Sequence, residues 1–182
     1  MKRNINSNGY IFLYATILVV VVAALLTITA LWLQPFQERN RENEKRTMIL
    51  SAAGVAEGEI TLLEGDLPIY LVNDSVRVIP MQGNGLWGPI WGYLAIASDG
   101  KTVIGVTFGH KSETPGLGGE ITTEKFQSQF AGKHITDNGH LVPIEFDAIT
   151  GATKTSNGVK EMIDNTLQKY EPYLNRFATT GE

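Results

Sequence analysis

The stretch Asp147–Val159 reads DAITGATKTSNGV and gathers four Thr/Ser hydroxyls, two glycines and one carboxylate just ahead of an amphipathic segment. Two chemistries are open to it. Thr155, Ser156 and Asn157 are N-cap residue types, whose side-chain oxygens accept first-turn N–H groups, so the stretch reads as a strand-to-helix turn. A helix N-terminus also presents unpaired N–H groups and the positive dipole end, a ready phosphate site. Gly151 and Ala152 add little bulk, so a large phosphorylated ligand can approach the backbone there, and a threonine hydroxyl could be esterified to its phosphate.

A second stretch, HKSETPGLGGEIT (His110–Thr122), places a proline and three glycines behind a β-rich run. The dinucleotide fingerprint needs G-x-G-x-x-G opening a helix, and here the second glycine pair meets Glu120 and a β-branched run, so that reading fails. The phosphate loop fails as well, for want of Lys-Ser/Thr after the glycines. What remains is a plain loop or a rigid backbone-rich turn able to approach a flat ligand, with Glu113 and Thr114 as polar handles. His110, alone at a strand end, reads as a surface residue. Trp87, Trp91 and Tyr93 in GNGLWGPIWGY read as core or sheet cover more readily than as a stacking platform.

Composition removes whole classes. The chain has no cysteine, which excludes disulfides, thiolate nucleophiles and Cys-ligated zinc or iron–sulfur clusters within it. His110, His134 and His140 lack helical metal-ligand spacing. No Ser-His-Asp arrangement or paired-carboxylate spacing is legible. With 15 basic against 19 acidic residues, the balance speaks against a nucleic-acid partner.

The elements that must position these motifs follow from hydrophobic patterning. No charged side chain lies between Arg3 and Glu38, and Tyr10–Leu33 supplies the apolar length a bilayer core needs, with Tyr10, Phe12, Tyr14 and Trp32 as interfacial aromatics. A cleaved secretory signal would have a shorter apolar core and a small-residue cleavage site, whereas this run meets LWLQPF. The spacing predicts a tail over 1–9, a transmembrane helix over 10–33, a connecting helix over 34–54 started by Pro35 and stopped at Gly54, and one domain over 55–182. Lys2 and Arg3 precede the span while Arg39, Arg41, Lys45 and Arg46 follow it. Counting Lys and Arg alone puts the C-terminal side in the cytoplasm, a rule that is weak for a large trailing domain. Short strands are predicted at Ile69–Val72 and Val76–Ile79. Asp99-Gly100 is predicted to supply a φ > 0 pair to a hairpin, in which Val103, Gly105 and Thr107 share one face and Ile104, Val106 and Phe108 the other. TTEKFQSQFAG reads as helix, and a final helix over about Ser156–Tyr170 carries Val159, Met162, Ile163, Leu167 and Tyr170 on one stripe. The class is α+β, an antiparallel sheet flanked by helices behind one membrane helix.

Taken together, ETPGLGGEI and DAITGATKTSNGV resemble the FMN-binding domain of the C subunit of the sodium-translocating NADH:quinone reductase, and the N-terminal anchor stands where that family has it. In that family the pattern D-x-x-(S/T)-G-A-T marks covalent attachment of FMN by a dedicated flavin transferase, through a phosphodiester to the final threonine. Asp147, Thr150, Gly151, Ala152 and Thr153 match it. The resemblance therefore implies Thr153 as the attachment point, Asp147 as a recognition element for the transferase, Thr155 and Asn157 as cap or phosphate contacts with Thr155 the fallback ester site, and Glu113, Thr114, Leu117 and Gly118 as a wall for the flavin ring. It implies an electron carrier between neighbouring membrane subunits of one reductase, working toward quinone, with the globular domain on the periplasmic side of the bacterial inner membrane. The chain is short for that family. Its paralogue, the G subunit of the ion-translocating ferredoxin:NAD reductase, shares the G-A-T site and the anchor, and GGEI and TSNGV favour the quinone reductase. A membrane-anchored binding domain without cofactor is the alternative of a different class.

Overall fold

A computed structural model of the chain describes residues 8–63 and 65–179, with side chains up to residue 174. Residues 1–7, and with them Lys2, Arg3 and most of the predicted tail, lie outside the described residues. The chain divides into two compact units, Met1–Glu44 and Lys45–Glu182.

The first unit holds most of helix α1 (Asn8–Ala52), whose side chains are exposed nearly throughout residues 8–44. Thr16, Thr27 and Thr29 turn their hydroxyls back onto the carbonyls of Phe12, Ala23 and Leu25, at 2.9, 2.8 and 2.8 Å. These threonine hydroxyls are thereby paired within the helix, on an otherwise apolar surface. Pro35 does not start a second helix as predicted; it lies inside α1. Its fixed φ suits a helix, and one missing N–H does not end a ladder this long.

The second unit opens with the last turns of α1, which end in a Schellman motif. Gly54 at φ +73° donates its N–H to Ser51 (3.0 Å), and Val55 donates to Leu50 (3.1 Å). The chain then forms a five-stranded antiparallel meander, β1 (Ile60–Leu63), β2 (Ile69–Val72), β3 (Val76–Asn84), β4 (Pro89–Ile96) and β5 (Val103–His110), paired in sequence order. β3 runs beyond the predicted Ile79. The φ > 0 pair of a tight turn is at Asn73 and Asp74 (φ 49° and 55°), between β2 and β3. In the β4–β5 hairpin only Gly100 is left-handed, at φ +69°. Asp99 instead ties that turn with its carboxylate, accepting the N–H groups of Lys101 and Thr102 at 2.9 Å and the Thr102 hydroxyl at 2.6 Å.

Register explains how both sheet faces are covered. Ile79, Leu94 and Val106 form one cross-strand row facing the final helix, while Val78, Ala95 and Gly105 form a row on the opposite face. There Ile49, Leu50, Ala52 and Ala53 pack, and a Cβ on Gly105 would press into the Ala52 carbonyl at 2.7 Å. A bulge at Ile96 and Val103 leaves Ile104 as the extra residue. Val103 therefore joins the cluster of Val106 and Phe108, contrary to the predicted alternation.

Beyond β5 the predicted helix TTEKFQSQFAG breaks into a 3-10 turn (Gly118–Thr122), α2 (Glu124–Gln127) and a second 3-10 turn (Ser128–Phe130). The hydroxyls of Thr122 and Thr123 bond back to Gly119 and Glu120 at 3.0 and 2.7 Å, competing with an α-helical ladder. The two-stranded pair β6 (His134–Ile135) and β7 (Leu141–Val142) follows. Helix α3 (Thr153–Thr179) closes the fold, with Val159, Met162, Ile163, Leu167 and Tyr170 buried on the predicted stripe and Leu174 extending it. The architecture is α+β, as the patterning requires.

Candidate functional site

The loop after β5 is built on one turn. Thr114-Pro115-Gly116-Leu117 closes with a 3.1 Å bond from the Leu117 N–H to the Thr114 carbonyl, and Gly116 has φ +74°. Proline second and a left-handed glycine third are the requirements of a type II turn. The Thr114 carbonyl also accepts the Gly119 N–H at 3.0 Å, so Leu117 stands out from a rigid loop and is 41 % exposed.

Glu113 departs from its predicted place as a polar handle. Its side chain is 4 % exposed and turned inward. One carboxylate oxygen accepts the Trp87 N–H at 2.8 Å, and the other accepts the Thr155 hydroxyl at 2.6 Å. The Glu113 N–H donates to His110 Nδ1 at 3.2 Å, which places the His110 proton on Nε2. Glu113 is thus a strut joining the β3–β4 loop, the post-β5 loop and the first turn of α3. Gly85 and Gly118 make room for it, since a Cβ on either would collide with the carboxylate.

The stretch that opens α3 repeats the same device. Ile149-Thr150-Gly151-Ala152 closes with an Ala152 N–H to Ile149 carbonyl bond of 2.9 Å, with Gly151 at φ +80°. This turn delivers the chain straight into the helix at Thr153, so Thr155, Ser156 and Asn157 are not the cap that the sequence suggests. Thr155 and Ser156 are buried within the first turns. The Ser156 hydroxyl oxygen accepts the Ile149 N–H at 3.2 Å, and Thr155 serves Glu113. Asn157 is exposed on the helix, as are Thr153 and Lys154. Among the described residues the N–H groups of Thr153, Lys154 and Thr155 have no hydrogen-bond acceptor, while Ser156 begins the ladder by donating to Ala152 at 3.0 Å.

The two motifs meet in space. Leu117 touches Gly151, where a Cβ would come within 3.1 Å of its Cδ2, and Glu113 bonds Thr155. Gly118 is buried beneath this junction, and Thr114 is exposed beside it. Asp147 and Thr150 line a cleft of about 410 Å³ with Glu120, Thr123, Lys125 and Gln129. Trp91 and Tyr93 cover the sheet as predicted, Trp91 over Gly109 and Tyr93 edge-on to Tyr70 at 6.2 Å. Trp87 does not: it is 66 % exposed, beside Leu86 at 44 %, on the loop that Glu113 holds. The Ser112 hydroxyl secures the same loop through the Trp87 carbonyl at 3.3 Å. The structure therefore adds Leu86 and Trp87 to the site, together with Gln129 and Ser156, which brace its backbone. The sequence carried Trp87 as the less favoured stacking platform and Ser156 as a cap residue; Leu86 and Gln129 had no local signal. Among the described residues no cluster of His, Asp or Glu is fit to hold a metal ion.

Residues 85–168 match the model of the FMN-binding domain family. The chain is 37% identical over 132 residues to the C subunit of the Na(+)-translocating NADH-quinone reductase of Vibrio anguillarum, a stretch of 62% of this chain and 52% of that protein. The chain thus spans about half the length of the curated relatives it matches. Among solved structures it resembles the C subunit of the Na(+)-translocating NADH-quinone reductase from Parabacteroides distasonis, with 31% identity, a TM-score of 0.65 and coverage of 78% of this chain and 96% of that one. It also resembles NqrC of Shewanella oneidensis, at 25% identity and a TM-score of 0.55, over 72% of this chain and 74% of that one.

Proposed function

The chain belongs to the NqrC family, the C subunits of Na(+)-translocating NADH-quinone reductases, and carries an FMN-binding domain; from that premise we propose that it is the flavin-carrying electron-transfer subunit of a membrane reductase of that kind. Thr153 would hold FMN through a phosphodiester, and the bound flavin would supply an electron relay between neighbouring subunits toward quinone. The carrying observation is the start of α3: three acceptor-free N–H groups lie under an exposed threonine, at the point where Leu117 meets Gly151. Free N–H groups and the positive end of a long helix suit a phosphate ester. Leu86, Trp87 and Leu117 offer apolar surface to a flat ring, and Thr114 a polar contact at its rim. Thr155 is a poor ester site, because it is 1 % exposed and its hydroxyl already donates to Glu113.

Bound flavin supplies one-electron redox chemistry, and the protein supplies position and electrostatics. The N–H groups that open α3 would hold the phosphate, and the Glu113-braced loops would position the apolar side chains that face the ring. No general acid or nucleophile is called for. Asp147, exposed ahead of the turn, is read by the flavin transferase during maturation. α1 has a stretch long and apolar enough to cross a membrane, and it anchors the domain outside the cytoplasmic membrane, on the periplasmic side of a Gram-negative cell. In this reading the anchor lies over 10–33, and the end of the connection patterned over 34–54 belongs to the FMN-binding unit, which begins at Lys45 rather than at residue 55.

The test is one denaturing gel of the full chain coexpressed with a flavin transferase and viewed under ultraviolet light. Wild type gives a fluorescent band near its 19.9 kDa mass, Thr155→Ala keeps it and Thr153→Ala abolishes it. A wild type that never fluoresces is a cofactor-free binding domain. A band that survives in Thr153→Ala assigns the ester elsewhere.

A further inference from the structure

The residues leading to Thr153 are held in an unusual way. After β7 ends at Val142, the chain from Pro143 to Ile149 has no neighbouring strand among the described residues. Side chains replace one. Lys133, 7 % exposed, donates to the carbonyls of Pro143 and Glu145 at 2.7 and 2.6 Å. Gln129 accepts the Asp147 N–H at 2.6 Å and returns a long 3.4 Å contact to the Asp147 carbonyl. Ser156 accepts the Ile149 N–H. Every one of these bonds goes to an odd-numbered residue. A period of two is that of an extended chain, whose alternate residues point their backbone groups to opposite edges. Among the described residues the N–H and C=O groups of Ile144, Phe146 and Ala148 have no hydrogen-bond partner. Phe146 nonetheless anchors the segment, its ring 5.5 and 5.1 Å from those of Phe126 and Phe130.

We propose that the outer edge of Pro143–Ile149 is a docking strand for the enzyme that esterifies Thr153. An extended segment of that enzyme pairs with the backbone of Ile144, Phe146 and Ala148. This rests on the reading of Thr153 as the flavin acceptor. A pinned, open edge is the template for strand addition, in which main-chain bonds give affinity. The edge runs through Asp147 into the turn that presents Thr153, so docking there would bring the hydroxyl to the incoming phosphoryl group in a set register. Exposed Glu145 and Asp147, with Glu120 across the cleft, outnumber Lys125, which suits a docking segment bearing basic side chains. In the reaction served, the Thr153 oxygen forms a bond to the FMN phosphorus of a flavin adenine dinucleotide. The P–O–P bond breaks, adenosine monophosphate leaves, and the hydroxyl proton passes to a base on the enzyme.

Ala148→Pro tests this, because it removes an N–H that no bond inside the protein uses. Flavin-free full-length chain is purified in detergent and given flavin transferase with flavin adenine dinucleotide, and initial rates of labelling are followed against chain concentration. A lost main-chain bond at the interface is worth about 1.4 kcal/mol, so KM for the chain rises about tenfold while kcat stays within about twofold. Ala148→Ser, which keeps the N–H, labels like wild type. Labelling of Ala148→Pro at wild-type KM overturns the proposal, as does an equal defect in Ala148→Ser. Should Ala148→Pro fail to fold, Gln129→Met decides. It frees the inner edge at Asp147 and raises KM, whereas Gln129→Glu, which still accepts the Asp147 N–H, restores it; equal KM values for all three chains overturn the idea. A wild-type dimer that Ala148→Pro makes monomeric, with labelling unchanged, gives the edge to a second copy of the chain and also overturns it. Absence of labelling in wild type, by contrast, sinks the Thr153 reading itself.

Discussion

Glu113 shows how one buried carboxylate ties three segments of the candidate site together. Its two oxygens satisfy donors from segments 26 and 42 residues away in sequence. Removing it strands a backbone N–H and a hydroxyl in the interior, so Glu113→Ala should cost about 2–4 kcal/mol of unfolding free energy, read from urea denaturation. Glu113→Gln keeps an acceptor for Trp87 and lets the Thr155 hydroxyl turn to accept from the amide; its cost should be about 1 kcal/mol. Thr153→Ala should leave stability unchanged within about 0.5 kcal/mol, as for an ordinary exposed site, while abolishing the fluorescent band. That pair of outcomes separates the Glu113 strut from the proposed attachment at Thr153.

At the scale of elements, α3 reaches the sheet at its N-terminal end because two glycines permit it. A Cβ on Gly158 would enter the Asn84 carbonyl, and one on Gly83 would meet Met162 at 2.8 Å. Gly158→Ala should lose about 1–3 kcal/mol despite the better helix propensity of alanine, because backbone must move rather than a side-chain tip. Farther along the helix, Tyr170 donates its hydroxyl to Pro68 at 2.9 Å, and burial, aided by Tyr70 and Tyr173, pushes its pKa up from 10.0 to about 12. A proton held more tightly in the folded state stabilises fully below pH 10 and is lost as pH climbs through about 12. Wild type should therefore lose stability over that alkaline window in a way Tyr170→Phe does not, as alkaline melting curves will show. Asp99 runs in the opposite sense. Partial burial pushes it up, but the Thr102 hydroxyl, the N–H groups of Thr102 and Lys101, and nearby His134 hold it below the usual carboxylate range. Its contribution is present above the ordinary Asp pKa and fades as pH falls through the lowered value, so Asp99→Asn should flatten the acid limb of the same curves.

At the scale of the whole molecule, the second unit begins at Lys45, inside α1 rather than after it. Ile49, Leu50, Ala52 and Ala53 cover Val72, Val78 and Ala95 on the sheet face away from α3. A chain cut before Lys45 should stay in detergent-free solution and melt within a few degrees of the full chain by circular dichroism. A chain cut after Gly54 strips that cover, at roughly 1.5–3 kcal/mol for each large apolar side chain exposed, and should melt far lower or fail to fold.

Much of this was legible in the sequence, where the signal is local. Periodicity disclosed the apolar run of α1 and the buried stripe of α3, and Asp99-Gly100 marked a hairpin, because those depend on neighbours a few residues apart. Pairing ETPGLGG with DAITGAT singled out, by resemblance, two stretches that the fold brings into contact. The inward turn of Glu113 onto Thr155, the exposure of Trp87, the bulge that swings Val103 to the other face and the side-chain bracing of Pro143–Ile149 were not legible. Each depends on contacts between segments far apart in the chain, and side-chain direction there follows from which donors and voids the packed neighbours leave. Residue types and spacing thus determined that hydroxyls and glycines would gather ahead of a helix. Only the tertiary structure decided which hydroxyl is buried and bonded and which faces outward, because burial and hydrogen-bond partnership are properties of the assembled surfaces.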